Sequence, residues 1–324
     1  MPMAMRIHAY GGSDQLKWEE VSVGDPGAGE IRVAHEAVGL NYIDVYHRTG
    51  LYPVGDLPAI IGTEAAGKVV AVGEGVTHVK AGDRVAYVNP IGAYCEERLM
   101  PADRAVKVPD AIDAQTAAAM MLQGLTTRYL LRETYVVGPE TTLLFHAAAG
   151  GVGLIFCQWA KSLGATVIGT ASSDEKIALA KAHGATHMIN YRTEDFVERV
   201  RELTDGKGCD VVYDAVGKDT FPGSLDCLRP RGLFVSFGNA SGPVPPFTMK
   251  ELGSRGSLIA TRPSLFHFVP TYETLEASAR DLFDVVADGT VKITVNQTYP
   301  LADVARAHDD LEGRRTTGST VFLV

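Results

Sequence analysis

The spacing of hydrophobic and polar positions changes character twice along the chain. The first 120 residues or so read as β-rich: Glu30–Leu40 is a strand-like run, and Lys68–Val72 and Arg84–Val88 are β-branched runs. The turn signals Gly73-Glu74-Gly75 and Ala81-Gly82-Asp83 separate them. A short helix is expected over Tyr42–Arg48, with Gly50 as its stop. After Gln123, strand-like runs alternate with helical ones. Strands are expected over Thr141–His146, Thr166–Gly169, His187–Asn190, Cys209–Asp214, Gly232–Phe237 and Ser257–Thr261. Between them, Val152–Leu163, Asp174–His183 and Glu194–Leu203 carry helical periodicity, the first with Val152, Ile155, Phe156, Trp159 and Leu163 on one face. This alternation implies βαβ units and a parallel sheet covered on both faces. The tail returns to mixed character, with helices over Asp281–Ala287 and Ala302–Leu311 and strands over Val291–Tyr299 and Ser319–Val324. The fold class is therefore α/β, in two domains. Residues 1–123 and 264–324 form a discontinuous β-rich domain, and residues 124–263 form an inserted nucleotide-binding domain.

The strongest motif sits at the first strand–helix junction of the insert. Ala147-Ala148-Ala149-Gly150-Gly151-Val152-Gly153 follows the apolar strand Leu143-Leu144-Phe145 and opens an amphipathic helix. A dinucleotide fingerprint requires that context. Gly150 and Gly151 let the backbone approach a pyrophosphate, the helix N-terminus offers N–H groups and a partial positive charge, and Gly153 permits close helix–strand packing. The usual first glycine is here Ala148. A glycine-rich turn with no ligand is the bland alternative.

The end of the second strand indicates which dinucleotide. NAD-selective sites place Asp or Glu there for the ribose 2′-hydroxyl. Here the strand runs into Ala171-Ser172-Ser173-Asp174-Glu175-Lys176. Two hydroxyls and Lys176, with no carboxylate at the strand end, favour the 2′-phosphate of NADPH. Ser173 is equally suited to cap the helix beginning at Asp174, and Asp174 and Glu175 suit its first turn. Tyr191 and Arg192 follow the neighbouring third strand, within reach of the same phosphate.

Bulk properties narrow the function class. The 324 residues are 46% hydrophobic and 21% charged, which fits a globular protein rather than a disordered one. The net charge of −9, with Arg314-Arg315 as the densest basic cluster, argues against a nucleic-acid partner. The four cysteines, Cys95, Cys157, Cys209 and Cys227, are widely spaced and form no disulfide framework. No signal-peptide pattern opens the chain and no apolar run is long enough for a membrane span. A cytoplasmic location is expected.

Gly62-Thr63-Glu64-Ala65-Ala66-Gly67-Lys68-Val69-Val70, Val72-Gly73-Glu74-Gly75-Val76 and Gly82-Asp83-Arg84-Val85 resemble the medium-chain dehydrogenase/reductase superfamily. Gly39-Leu40-Asn41-Tyr42-Ile43-Asp44-Val45-Tyr46, His146 through Lys161, Val211-Val212-Tyr213-Asp214-Ala215-Val216-Gly217, Val235-Ser236-Phe237-Gly238-Asn239 and Thr261-Arg262-Pro263-Ser264-Leu265 resemble, within it, the bacterial quinone oxidoreductases. The resemblance runs essentially end to end. It implies a GroES-like catalytic domain, a Rossmann domain and a homodimer. The superfamily's zinc alcohol dehydrogenases carry His where this chain has Thr63 and Cys at about Asn41, and neither Thr nor Asn is a usual zinc ligand. They also hold a structural zinc on four closely spaced cysteines, in a region where this chain has only Cys95. No metal is expected at either site.

By matching position, the resemblance implies that Asn41, Tyr46, Thr127 and Tyr129 line the nicotinamide and cofactor cleft. Gly150, Gly151 and Val152 meet the pyrophosphate. Ser173, Lys176, Tyr191 and Arg314 hold the 2′-phosphate and adenosine end, and Asn239, Ser241 and Ser264-Leu265 lie over the nicotinamide. Tyr46 and Asn41 are the candidate catalytic residues, Tyr46 as hydrogen-bond donor to the substrate oxygen; a tyrosine on a buried helix face is the alternative. Gln123 stands where relatives often carry Lys.

Without a Lewis acid, hydride transfer to an isolated ketone is difficult, whereas a conjugated acceptor spreads charge to an oxygen that hydrogen bonds stabilise. The expected activity is NADPH-dependent reduction of a small quinone, with enone or enal reduction as the alternative. A structural or RNA-binding role is the non-enzymatic one.

Overall fold

A computed structural model describes all residues, 1–324. Its elements, in chain order, are β1 (Met3–Ile7), β2 (Leu16–Glu20), β3 (Glu30–Leu40), α1 (Tyr42–Thr49), β4 (Ala59–Ile60), β5 (Glu64–Val72), β6 (Arg84–Val88), β7 (Glu97–Pro101), β8 (Ala105–Lys107), α2 (Ala114–Ala118) and α3 (Met121–Tyr129). Next come β9 (Thr142–Phe145), α4 (Gly151–Ser162), β10 (Thr166–Ala171), α5 (Asp174–Ala182), β11 (His187–Asn190), α6 (Phe196–Leu203), β12 (Cys209–Asp214), α7 (Gly223–Asp226), β13 (Leu228–Ser236), α8 (Met249–Ser254) and β14 (Ile259–Thr261). The tail holds α9 (Tyr272–Ala287), β15 (Val295–Pro300), α10 (Val304–Glu312) and β16 (Ser319–Leu323).

The chain divides into two compact units: Met1–Leu125 with Val269–Asp288 and Ile293–Val324, and Thr126–Phe268 with Gly289–Lys292. The second boundary lies at Phe268 rather than at residue 263. Phe268 stacks flat on Tyr129 of the same unit, with ring centroids 4.4 Å apart, and this keeps residues 264–268 in that unit.

In the first unit, β3 is the hub of a largely antiparallel sheet in the order β15-β16-β3-β5-β6-β8, with β7 also on β3. Its first half alternates buried and half-buried residues, but Val38, Gly39 and Leu40 are buried in succession, because neighbours cover both faces there. Gly39 is required by close approach: a Cβ there would sit 2.3 Å from the Ala118 carbonyl oxygen and 2.6 Å from a Glu64 carboxyl oxygen. Helix α9 begins at Tyr272, nine residues before the expected start. Thr271 accepts the Thr274 N–H as a cap, and Leu275, Ala279, Leu282 and Phe283 form one buried stripe.

The second unit is a six-stranded parallel sheet in the order β11-β10-β9-β12-β13-β14. The order reverses between β9 and β12. In an open doubly wound sheet ligands bind at that switch point, beyond the carboxyl ends of the strands. Leu144, Ile168, Ile189, Val212 and Phe234 from five of the strands are at most 1% exposed and share one core.

Candidate active site

The glycine-rich turn expected to bind phosphate lies at the end of β9, at the switch point. Gly150 is the N-cap of α4 and supplies no side-chain cap, and the first turn of α4 carries no acidic residue. Helices α5 and α6 differ: Ser173 and Asp195 cap them with side-chain oxygens. The N-terminus of α4 therefore keeps its N–H groups and its partial positive charge for an anion. Gly153 packs the helix onto the preceding turn, since a Cβ there would be 2.5 Å from the Ala148 carbonyl oxygen. Ala148 is fully buried and donates its backbone N–H to Thr170 O (3.0 Å), so a methyl fits where the fingerprint usually has glycine.

A buried polar pin fastens this turn to its neighbours. His146, at the end of β9, bonds through Nδ1 to Thr170 Oγ1 and through Nε2 to Ser224 Oγ, each at 3.1 Å. Ser224 Oγ and Thr220 Oγ1 both donate to Asp214 Oδ2 at 2.7 Å. The other Asp214 oxygen accepts the Val216 and Gly217 N–H groups. Because the Ser224 proton points to Asp214, His146 donates to Ser224 through Nε2, and the trio is a clamp rather than a nucleophile and its base. Burial lowers the His146 pKa, with Asp214 opposing.

Ser173 and Lys176 follow β10, and Tyr191 follows the adjacent strand β11. The Tyr191 N–H donates to Ala171 O, and Ser173 Oγ accepts the Lys176 N–H at 3.3 Å, so the capping role of Ser173 is realised. Tyr191 is exposed and Lys176 is half-buried. The Ser241 hydroxyl donates to Val216 O (2.9 Å) and accepts from the Asp219 N–H (3.0 Å). Asn239 lies in the same loop, which the Ala240 N–H ties to Ala215 O. Thr127 is fully buried on α3, Tyr129 is stacked as described, and Ser264 precedes a short turn that buries Leu265.

In the first unit, α1 starts at Asn41, whose backbone N–H donates to Asp44 Oδ2 (2.9 Å). Asp44 also accepts from Thr63 Oγ1 (2.6 Å) and Tyr94 Oη (2.9 Å). Burial pushes its carboxyl up to about 6 against these three bonds. The Asn41 side-chain amide donates to Glu64 Oε2 (2.6 Å), and the Leu122 N–H reaches the other oxygen (2.9 Å). Burial first, with the Asp44 charge adding to it, pushes Glu64 up to about 8. Behind Tyr94 stand His308 and Arg48: Tyr94 Oη meets His308 Nε2 (3.1 Å), and Arg48 donates to His308 Nδ1 (3.2 Å) and to Glu312 (2.8 Å). Arginine only donates, so His308 Nδ1 accepts and its proton is on Nε2. Burial, then Arg48, lowers His308 to about 3. Tyr46 is 8% exposed, its ring 5.6 Å from Tyr42 and 5.2 Å from Tyr52. Arg314 follows α10 in the same unit, in left-handed backbone.

Two family descriptions match the two parts of the chain: an alcohol dehydrogenase GroES-like domain over residues 27–110 and a zinc-binding dehydrogenase over residues 151–298. A quinone oxidoreductase of Pseudomonas aeruginosa is 54% identical over 99% of this chain and all of its own length. The chain belongs to the quinone oxidoreductases of the medium-chain dehydrogenase/reductase superfamily. The Escherichia coli quinone oxidoreductase, solved in complex with NADPH, superposes with a TM-score of 0.98 at 50% identity, over 99% of this chain and all of that one. A 2-haloacrylate reductase of a Burkholderia species is 48% identical over all of this chain and 99% of its own.

For a quinone oxidoreductase, the two zinc-ligand positions are occupied in an informative way. Thr63 donates to Asp44 and Asn41 to Glu64, so both side chains serve hydrogen bonds. Sequence reasoning overlooked the groups that receive them. Apart from the local cap between Asn41 and Asp44, Asp44, Glu64, Tyr94, His308 and Arg48 gave no local signal, because their other partners lie between 19 and 264 residues away. The clamp of His146, Asp214 and Ser224 was equally invisible. Its one trace was polar residues at the ends of apolar strands.

Proposed function

We propose that this chain reduces quinones with NADPH by hydride transfer and without zinc. The observation that carries the reading is the uncapped, acid-free start of α4 at the sheet's switch point, in a chain about half identical to quinone oxidoreductases along its whole length. The residues present fit the dinucleotide. The turn of Gly150, Gly151 and Val152 offers N–H groups to a diphosphate. Ser173, Lys176 and Tyr191 lie at a carboxylate-free strand end suited to a 2′-phosphate. Thr127, Tyr129, Asn239, Ser264 and Leu265 are assigned to the nicotinamide end. Ser241 contributes by holding its loop to Val216 and Asp219.

NADPH, when bound, supplies the hydride. Asn41 supplies an amide N–H where negative charge develops on the substrate carbonyl oxygen, and Tyr46 a hydroxyl donor beside it. Asp44 holds the start of α1, and with it both donors, in place. A conjugated acceptor suits donors such as Asn41 and Tyr46, which act in place of a Lewis acid. We further infer a cytoplasmic homodimer. β14 is the outer strand of its sheet with Ile259 57% exposed, an edge suited to pairing. No helix is long and apolar enough to cross a membrane.

The 2-haloacrylate reductase relative favours a second reading, reduction of an activated carbon–carbon double bond by the same donors. The test is oxidation of NADPH by a small benzoquinone and, separately, by an enone, each repeated with NADH. Fast turnover of the quinone with NADPH supports the first reading, and turnover of the enone alone supports the second. Tight NADPH binding with neither reaction overturns both.

A further inference from the structure

Four polar side chains from four distant segments form one directed hydrogen-bond chain in the first unit. Ser319 Oγ, on β16, donates to Gln123 Oε1 (2.7 Å). Gln123 Nε2, on α3, donates to Asn41 Oδ1 (3.3 Å). Asn41 Nδ2 donates to Glu64 Oε2, on β5, at 2.6 Å. All four are buried, Glu64 fully, and a buried polar chain costs stability unless every member is satisfied.

We propose that Gln123 and Glu64 are positioning residues that lock the Asn41 amide in one orientation, so that its second N–H is presented to the substrate oxygen. The inference rests on the quinone reduction proposed above and names what orients that site's donor. Flipping the amide would set its NH2 against the Gln123 N–H, and would remove the N–H that the Glu64 oxygen accepts. Neither neighbour can turn to relieve this. The Gln123 oxygen is held by the Ser319 hydroxyl. Glu64 is held by the Leu122 N–H and packed against the bare Cα of Gly39. Asn41 uses one amide hydrogen on Glu64, which leaves one for a ligand. A free surface asparagine would spend part of its time offering its oxygen instead, and a carbonyl facing a developing oxyanion repels it.

The experiment compares Asn41→Ala, Gln123→Leu, Glu64→Leu, Glu64→Gln and the double variant Asn41→Ala/Gln123→Leu. It measures kcat and KM for a small benzoquinone, and NADPH affinity separately by fluorescence without quinone. Asn41→Ala is expected to lower kcat about 100-fold, as loss of an oxyanion donor does. Gln123→Leu and Glu64→Leu should each lower kcat roughly tenfold or more, part of what that donor supplies, and leave NADPH affinity and KM nearly unchanged. Glu64→Gln, which keeps an acceptor oxygen for Asn41, should retain most of the rate. In the Asn41→Ala background, Gln123→Leu should cost nothing further. If Gln123→Leu lowers kcat by the same factor with Asn41 present or absent, the positioning role is wrong while quinone reduction stands. Wild-type kcat in Asn41→Ala overturns the donor and its positioning together. Should Glu64→Leu not fold, the Gln123→Leu cycle decides alone.

Discussion

The two polar centres of this protein are built in opposite ways. The proposed phosphate turn of the second unit is local: strand, glycines and helix follow within a dozen residues, and the groups it offers are backbone N–H groups. The centre of the first unit is assembled from α1, β5, α3, α10 and β16, and its groups are buried side chains that hold one another. A backbone site tolerates many side-chain changes so long as the glycines remain. A side-chain site depends on each member, because removing one leaves its partners buried and unpaired. The second unit has a smaller network of the second kind, the His146 clamp, placed directly behind its backbone site.

Acid should separate the two most strongly. His35, His47 and His308 of the first unit are held by burial at about 4, 4 and 3. A folded-state pKa below the unfolded value stabilises the fold above pH 6.5, and that contribution is lost as pH falls through the folded value. Asp44 and Glu64, raised to about 6 and 8, act in the opposite direction, since their contribution is present at low pH and lost as pH rises. Three histidines outweigh two carboxyls, so stability should fall by several kcal/mol, on the order of one per pKa unit, between pH 6.5 and 4. The second unit has one such histidine, His146, lowered by burial, against three in the first, so hydrogen exchange should show α1 and α10 opening before β9 and β12, and the reverse order would break the comparison. Next in size, Asp44→Ala orphans three buried donors. It should cost about 3–5 kcal/mol by chemical denaturation, while Asp44→Asn costs less. Lys176→Ala should weaken NADPH binding by about 1.5–3 kcal/mol, the scale of a charge-assisted hydrogen bond, and leave NADH almost unaffected. Equal losses for both cofactors would remove Lys176 from the 2′-phosphate site. The smallest effect is expected from Ser241→Ala, which removes a bridge between two turns and should cost about 1 kcal/mol of stability.

How much could be read in advance follows the same division. The strands of the parallel sheet and helices α4, α5 and α6 were legible because each is a single run with its own period and stop, whereas the short α7 and α8 were not expected. Gly184 after α5 is an example, and in the first unit Gly50 after α1 stands in the left-handed conformation its position requires. Ser173 was legible as a cap for the same reason. Helix α9 was read short because Tyr272–Arg280 is polar on its exposed side, and the stripe of Leu275 and Ala279 becomes apparent only when something covers it. The residues at 41 and 63 were recognised for what they could not bind. What they do bind was not legible, since Glu64 lies 23 positions from Asn41, and Asp44 lies 19 from Thr63.

The sequence by itself determined the α/β alternation, the phosphate turn with its strand before and helix after, the carboxylate-free end of β10, and the amide and hydroxyl in place of metal ligands. These are properties of contiguous residues, governed by backbone sterics, periodicity and the chemistry of single side chains. Tertiary structure alone decided that Asn41 is gripped between Gln123 and Glu64, that His308 donates through Nε2 to Tyr94 and accepts from Arg48 at Nδ1, and that Ser241 spends its hydroxyl on a loop. A hydrogen bond's direction and a carboxyl's charge depend on which groups and how little water surround them, and in this chain those surroundings come from segments up to 264 residues apart.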